Sequence, residues 1–257
     1  MIINPYLVQP SGPSYGTLTT AWIAATSETD LTILGALNTL ESDMATYGLT
    51  AKMKALYPMV GGTAGKHSYN FMNTAQYQAT FNGGWTHSST GALPNGTNAY
   101  ADTGFKQNSA GSTLCMGVYL RTNNDALYSD LGLIDGGWNI VMGRLSGSIY
   151  ASIADSNPIA QAAVPSSAGF TTISKILSTE ARTYKNGALN NTRTVTTFIT
   201  ASAQNFYISA YNSGGAAAWY SNRQNAFTFF SEGLDATENA NLYTAVQAFQ
   251  TTLSRNV

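Results

Sequence analysis

Aromatic side chains next to turn residues are the groups in this sequence with the clearest chemical use. Trp85 and Trp138 each follow a Gly-Gly pair, and Tyr211 and Trp219 lie close to Asn and Ser. Aromatic faces stack on sugar rings, and carboxylates such as that of Asp102 accept hydrogen bonds from sugar hydroxyls. These five residues are our glycan-binding candidates. The alternative for each aromatic residue is packing in a core, where neighbouring glycines permit a β-bulge.

The potential metal ligands are few and widely spaced. The two histidines, His67 and His87, lie twenty positions apart, and the chain has a single cysteine. A zinc site needs several converging ligands, and no CxxC or HExxH motif supplies them. We therefore predict no metal and no cofactor. Calcium stays an open alternative because aspartates with asparagine partners could supply oxygen ligands. These aspartates are Asp102, Asp125, Asp130 and Asp135.

No arrangement of residues predicts a catalytic site. The sequence contains no SxxK motif, and its GxSxG match, GPSYG at 12–16, lies in a Pro- and Gly-rich stretch rather than at the strand-to-helix turn of a nucleophile elbow. A glycosidase needs two carboxylates about 5–10 Å apart. The acidic residues here are scattered, and no alternating pair would place two carboxylates on one face of a strand. We therefore expect no catalytic residues and a protein that is not an enzyme.

The charge content is low and excludes several kinds of partner. Only 10% of the residues are charged, and the formal net charge is −1, whereas about 25% is usual in globular domains. Nucleic-acid binding needs clustered basic residues, which this chain lacks. A polybasic membrane anchor is excluded for the same reason. A surface of uncharged polar residues suits neutral partners such as glycans and causes little repulsion between subunits.

The termini and the apolar runs predict where the protein is made. The opening MIINPYLVQPSG has no basic segment followed by an apolar one, so we expect no signal peptide. No apolar stretch approaches the roughly 20 residues of a membrane span, so we expect no membrane insertion. Cys115 lies in the apolar run LCMGVYL and is interpreted as a buried thiol. These features predict assembly in a cytoplasm.

The N-terminal sixty residues divide into an arm and a helical region. Residues 1–16 are rich in Pro, Gly and Tyr and predict an extended arm, with Ile3, Pro5 and Tyr6 as docking candidates. The alternative is an unattached terminus. An apolar stripe predicts a helical region over 17–60.

Three local patterns set the expected helix ends within 17–60. Ser27 is expected to cap the main helix together with Asp30, and Gly48 to follow the helix end. A second short helix, AKMKALY, is expected after Thr50. Because only one face of the region is apolar, that face must cover another part of the protein.

The rest of the chain has the sequence pattern of a β-protein. Short runs rich in Val, Ile, Thr, Tyr and Phe alternate with turn residues, and no long helical pattern separates them. Asn186-Gly187 predicts a type I′ hairpin turn. Asp235 and Glu238 form a capping box for a final helix over 236–253. We therefore predict a β-sandwich over 61–257, closed by that helix.

Two blocks of sequence resemble a known family. MKALYPMVGGTAGKHSYNF and FNGGWTHSSTGALPNGTNAYADT, together with LYTAVQAFQTTL near the end, resemble bacteriophage virion proteins that carry a concanavalin A-like, laminin-G-like domain. The resemblance covers roughly residues 30–257. It implies a mainly β fold, a jelly-roll sandwich of two antiparallel sheets. It also implies a place in the virion, as a tail fibre, spike, head fibre or decoration protein.

The resemblance and the composition together define the expected function. We expect a structural protein of the virion that contributes to attachment to host-surface glycans and assembles with other virion proteins. It is expected to form a homo-oligomer, with a trimer as the specific expectation, because linked weak sites raise avidity. One alternative is a purely structural capsid decoration or joint protein. A second is a polysaccharide depolymerase.

Overall fold

A computed structural model describes residues 13–110, 113–155, 159–177, 179–194 and 202–257 of the protein. The arm candidates Ile3, Pro5 and Tyr6 lie outside the described residues.

Four α-helices and seventeen strands are present in the described ranges. The helices are α1 (Thr17–Thr26), α2 (Leu31–Thr46), α3 (Ala64–His67) and α4 (Ala236–Thr252). The first strands are β1 (Met53–Tyr57), β2 (Thr80–Asn82), β3 (Trp85–Ser88), β4 (Gly91–Pro94), β5 (Tyr100–Lys106), β6 (Leu114–Leu120), β7 (Leu131–Ile134), β8 (Trp138–Leu145) and β9 (Ser148–Asp155). The remaining strands are β10 (Ile159–Ala163), β11 (Gly169–Leu177), β12 (Glu180–Lys185), β13 (Ala188–Thr194), β14 (Asn205–Ile208), β15 (Tyr211–Ser213), β16 (Ala216–Ala218) and β17 (Asn225–Ser231). None of these helices combines the length and the apolar character that crossing a membrane requires.

The strands form two sheets that face each other. Sheet A has the order β13-β12-β11-β6-β17-β4-β3, and β1 also pairs with β17. Sheet B has the order β10-β9-β8-β7-β14-β5-β2, and β15 pairs with both β7 and β16. The β15–β7 pair is parallel, whereas the neighbours along both sheet orders are antiparallel. The predicted jelly-roll sandwich is confirmed.

The core lies between the sheets because side chains alternate along each strand. On β6, Met116 and Val118 belong to the cluster between the sheets, whereas Cys115 and Tyr119 point to the opposite face of sheet A. All seven residues of β6 are buried, so both faces of this strand are covered. Burial also raises the pKa of the Cys115 thiol to about 12, and its interpretation as a buried thiol is confirmed.

Helices cover the outer face of sheet A. Apolar residues of α2 such as Leu37 and Leu40, and of α4 such as Val246 and Phe249, share one cluster with the outer side chains of sheet A. Asp235 accepts from the Glu238 N–H and the Glu238 side chain accepts in return, so the predicted capping box of α4 is confirmed. The helices therefore pack against the outer face of sheet A rather than that of sheet B.

Two expectations in the helical region are wrong. The segment AKMKALY is not a helix, because Met53–Tyr57 forms β1 and pairs with β17. Ala55 contacts the core between the sheets while Leu56 contacts the helices, and only a strand places neighbouring residues on opposite faces. Ser27 ends α1 in a left-handed conformation. It does not cap α2, whose cap is Asp30, directly before Leu31.

Other local predictions are confirmed. Gly48 follows the end of α2 with φ +70°, and the Leu49 N–H donates back to the Met44 carbonyl, as expected of a helix that ends on glycine. Asn186 and Gly187, with φ of 48° and 75°, connect β12 to β13 as the predicted type I′ turn. The division of the chain into regions that end at residues 16 and 60 stays a prediction. Strand β1, which pairs with β17 of the sandwich, lies within the region 17–60 that was predicted to be helical.

Candidate functional site

Three of the five glycan-binding candidates meet on sheet B. Trp138 and Trp219 are stacked, with ring centroids 5.3 Å apart and 29° between their planes. Tyr211 is edge-on to both, at 5.4 Å from Trp138 and 5.1 Å from Trp219. All three side chains are half-buried. We call these three residues the aromatic cluster.

Strand alternation and one glycine place the aromatic cluster on the outer face of sheet B. Val141 belongs to the core between the sheets, so Trp138, three residues earlier on β8, points outward. Tyr211 on β15 pairs with Gly132 on β7. A Cβ atom at Gly132 would lie 2.8 Å from the Tyr211 Cβ, so the glycine is required for this close approach.

Trp219 is held in a left-handed backbone conformation with φ 52°. This region is unfavourable for bulky residues and costs about 1–3 kcal/mol. The conformation is fixed by its neighbours: the Ser129 N–H donates to the Trp219 carbonyl at 2.8 Å, and Ser129 forms a bridge with Tyr220. Backbone strain of this kind occurs at ligand sites, where it orients a side chain.

A buried ion pair fixes the segments on both sides of the cluster. The Arg223 Nη1 donates to the Asp130 Oδ2 at 2.7 Å, and both side chains are fully buried. Asp130 also accepts from the Gly143 N–H and the Ser221 hydroxyl, each at 2.7 Å. Asp130 follows Ser129, and Ser221 lies two residues after Trp219. Sequence reasoning missed this role, although Asp130 stands directly before the buried run LGLI and cations are scarce in the chain.

Polar groups surround the cluster at nearby turns. Asp135, exposed and three residues before Trp138, accepts from the Ser202 hydroxyl at 2.7 Å. Asn212 follows Tyr211; its side chain donates to the Asn205 carbonyl and accepts from the Gly215 N–H. Burial raises the pKa of the Tyr211 hydroxyl, so this group is a neutral donor and acceptor at ordinary pH. The Tyr211 hydroxyl and the exposed Asp135 carboxylate thus add hydrogen-bonding groups to the stacking surfaces, whereas the buried Asn212 amide holds the β15 turn.

The other two glycan-binding candidates lie elsewhere. Trp85 packs against Phe81 at a centroid distance of 5.1 Å, and its indole N–H donates to the Asn82 carbonyl. It sits at the border of the core. Asp102 is on the outer face of sheet B, and its carboxylate accepts from the Gly104 N–H at 2.9 Å. The neighbouring Tyr207, which pairs with Asp102, is only 5% exposed.

The four aspartates considered as calcium ligands have separate partners. Asp130 pairs with Arg223, and Asp125 accepts from the Gly147 N–H, while Asp102 and Asp135 form the bonds given above. No group of three or more His, Cys, Asp or Glu side chains that could hold a metal ion is found in the described part of the chain. The structure does not bring these carboxylates together.

The two histidines meet although they are far apart in sequence. The Nδ1 atoms of His67 and His87 are 2.9 Å apart. His67 is fully buried, and its Nε2 has no hydrogen-bond partner. Burial, with added repulsion from His87 and Arg255, lowers the pKa of His67 to about 3. Burial also lowers the pKa of His87. The pair is therefore neutral and shares one hydrogen bond at neutral pH.

The comparisons with known proteins concern the fold. No protein-family model matches the chain, and no curated protein sequence matches it. A mutant Trypanosoma rangeli sialidase with trans-sialidase activity matches with a TM-score of 0.57 at 11% identity, over 84% of this chain and 39% of that chain. Trypanosoma rangeli sialidase in complex with sialic acid matches with a TM-score of 0.54 at 12% identity, over 75% of this chain and 33% of that chain.

A single domain matches over nearly its whole length. Domain 4 of AbnA, an extracellular arabinanase from Geobacillus stearothermophilus, was solved in complex with arabinotriose. It matches with a TM-score of 0.54 at 11% identity, over 74% of this chain and 98% of the domain. The chain therefore spans less than two fifths of the sialidases but almost all of this domain. At such identities the likeness shows the β-sandwich fold alone.

These neighbours correct one expectation. The sequence led us to expect a protein that is not an enzyme, and the structures that share its fold contradict this, since they include sialidases and an arabinanase. The expectation relied on the absence of paired carboxylates in the linear sequence. A sandwich brings carboxylates together from distant strands, so spacing along the chain is a poor guide to catalysis.

Proposed function

We propose that this protein binds glycans through the aromatic cluster. One observation carries the proposal: three half-buried rings from separate segments gather on the outer face of sheet B, and one of them, Trp219, is held in a strained backbone conformation. Helices cover the other sheet. The sandwich is also the fold of an arabinanase domain that was solved with arabinotriose, which supports a carbohydrate ligand.

The expected strength follows from the area that a stacked sugar covers. A ring that removes about 80 Å² of apolar surface from water gains about 2 kcal/mol at about 25 cal/mol per Å². Removal of the stacking indole should therefore weaken binding about thirtyfold. The hydrogen bonds at the edge would then select which sugar is bound, because an unpaired hydroxyl or carboxylate is unfavourable.

A glycan array tests the proposal. The wild-type protein should bind a defined set of glycans, and Trp219→Ala should lose that binding while its unfolding midpoint stays within a few degrees. Trp85→Phe is the matched control, since Trp85 lies at the border of the core and contacts Phe81. Equal binding by the wild type and Trp219→Ala, with both folded, would reject the cluster as the site.

We further propose that the glycan is on a bacterial surface and that the chain is a phage virion protein, as part of a fibre, spike or head fibre. The resemblance of residues 81–103 to such proteins and the weakly charged composition support this role. Gold-labelled antibody against the protein should decorate projecting fibres or tail tips of virions. Label spread over the capsid shell would favour a decoration role, and unlabelled virions would reject the virion role altogether.

The same proposal includes a homo-oligomer, specifically a trimer. The low charge of the chain supports it, because subunits of near-zero net charge repel one another little. Sedimentation equilibrium should give three times the 27.2 kDa chain mass. A monomer at micromolar concentration would contradict it.

Glycan hydrolysis is the second candidate, and the fold shared with sialidases and an arabinanase favours it. Release of reducing sugar from a bound polysaccharide would support hydrolysis. Stable binding of the same polysaccharide without release would favour attachment.

A further inference from the structure

We infer that the aromatic cluster holds one uncharged sugar ring at a time, taken from a chain end or a side branch rather than from the middle of a chain. This inference rests on the proposed glycan binding and specifies its substrate class. Three features of the described residues support it: the spacing of the rings, the surroundings of the neighbouring aromatic residues, and the charges near the cluster.

The spacing of the two indoles rules out a sandwiched ligand. A sugar ring between two aromatic faces needs about 7–8 Å between those faces, which is two carbon contact distances. The centroids of Trp138 and Trp219 are 5.3 Å apart, and their planes are inclined by 29°, so the two rings already contact each other. Tyr211 presents its edge to both. The cluster therefore offers an outward stacking surface for a single ring.

Towards β14 and β5, the neighbouring aromatic residues do not extend this surface. Tyr207 on β14 pairs with Gly132 of β7, and it is only 5% exposed. Its hydroxyl donates to the Gly215 carbonyl in the β15–β16 turn at 3.4 Å. Tyr100 stacks on Tyr207 with a centroid distance of 4.6 Å. In this direction the next sugar along a chain would lie over the buried Tyr207, so added residues should contribute little.

The charges near the cluster disfavour acidic sugars. Asp135 lies at the turn that precedes Trp138 and is exposed. The Arg223 guanidinium is buried against Asp130, and Arg144 lies 3.6 Å from the Asp125 carboxylate. The cation–ring contacts seen among the described residues involve other aromatic rings. A carboxylated sugar would thus meet the negative charge of Asp135, whereas a neutral sugar can donate its hydroxyls to this carboxylate.

Titration calorimetry with the full chain tests the inference in two steps. The first set of probes is the methyl glycosides of glucose, galactose, mannose and N-acetylglucosamine, with N-acetylneuraminic acid and galacturonic acid as the charged probes. At least one neutral glycoside should bind, and both acids should bind about tenfold more weakly or not at all. The second set is the oligosaccharide series, from one to five units, of the sugar that binds best. Its affinities should agree within about threefold.

Each result has a distinct meaning. A gain of tenfold or more with chain length would overturn the single-ring site, and equal binding of the acids would overturn the neutral preference. Both outcomes leave glycan binding intact. Absence of binding by every neutral probe, also in the glycan array, would instead reject the proposed function.

A variant provides the matched control for the charge argument. Asp135→Asn should raise the affinity for the acidic sugars about threefold, as expected for a charge removed at about 7 Å in water. The affinity for neutral sugars should change less, because the amide keeps a hydrogen-bonding oxygen. If the acids bind Asp135→Asn no better than the wild type, Asp135 does not set the preference.

Discussion

Acid should destabilise this protein through His67. The side chain is fully buried, its Nδ1 is 2.9 Å from the His87 Nδ1, and its Nε2 has no partner. Protonation would place a charge in an apolar site next to a second histidine and near Arg255, which is why the pKa of His67 falls to about 3. In the unfolded chain the pKa is about 6.5.

The magnitude follows from linkage between proton binding and folding. Between about pH 6.5 and pH 3 the unfolded chain binds a proton at His67, whereas the folded chain does not. The free energy of unfolding therefore falls as the pH falls. At pH 5 the difference amounts to about 2 kcal/mol, because each pH unit contributes about 1.4 kcal/mol. His87, whose pKa is also lowered, adds a loss of the same sign.

Urea unfolding at about pH 7.5 and pH 5 measures this effect. The free energy of unfolding of the wild type should fall between the two pH values by about 2 kcal/mol more than that of His67→Gln. Carboxylates titrate in both proteins, so their contribution cancels in the comparison. His87→Gln serves as the matched control and should remove a smaller part of the loss. An equal pH dependence in the wild type and His67→Gln would show that His67 does not cause the loss of stability in acid.

Three further predictions concern stability and reactivity. Asp130→Asn should destabilise the fold by about 3–5 kcal/mol in urea unfolding, because it leaves the buried Arg223 without a counter-charge; a loss below 1 kcal/mol would contradict this. Gly187→Ala should lower the free energy of unfolding by about 1–3 kcal/mol more than Gly147→Ala in the same assay. Both glycines have positive φ, but only at Gly187 would a Cβ lie 2.8 Å from an aromatic ring. Equal losses of stability in the two variants would contradict this contact. Cys115, whose pKa burial raises to about 12, should resist iodoacetamide at about pH 8 until the chain unfolds, so rapid alkylation of the folded protein would contradict its placement.

The sequence predicted the elements with strong local patterns. The capping box at Asp235 and the turn at Asn186-Gly187 depend on residues that are adjacent or three apart, so their geometry is local. The strand Met53–Tyr57 was missed because its hydrophobic residues also fit a helical stripe. What decides its structure is pairing with β17, nearly two hundred residues later, which local propensity does not contain.

The candidate site was predictable in its residue types but not in its arrangement. Trp138, Tyr211 and Trp219 were candidates because each lies near turn residues, and the structure gathers these three while placing Trp85 at the border of the core. The meeting of β8 with β15 depends on the order of the strands in sheet B, which local sequence patterns do not predict. The buried Arg223 ion pair was missed for the same reason, since its partner precedes it by 93 positions.

The most direct test of glycan binding uses the four tryptophans as internal probes. The protein is labelled with fluorotryptophan, and the fluorine resonances are followed during titration with a glycan identified on the array. Glycan binding at the aromatic cluster should shift the resonances of Trp138 and Trp219, and leave those of the fully buried Trp22 and of Trp85 unchanged. Shifts at Trp85 with unchanged signals from the aromatic cluster would contradict it.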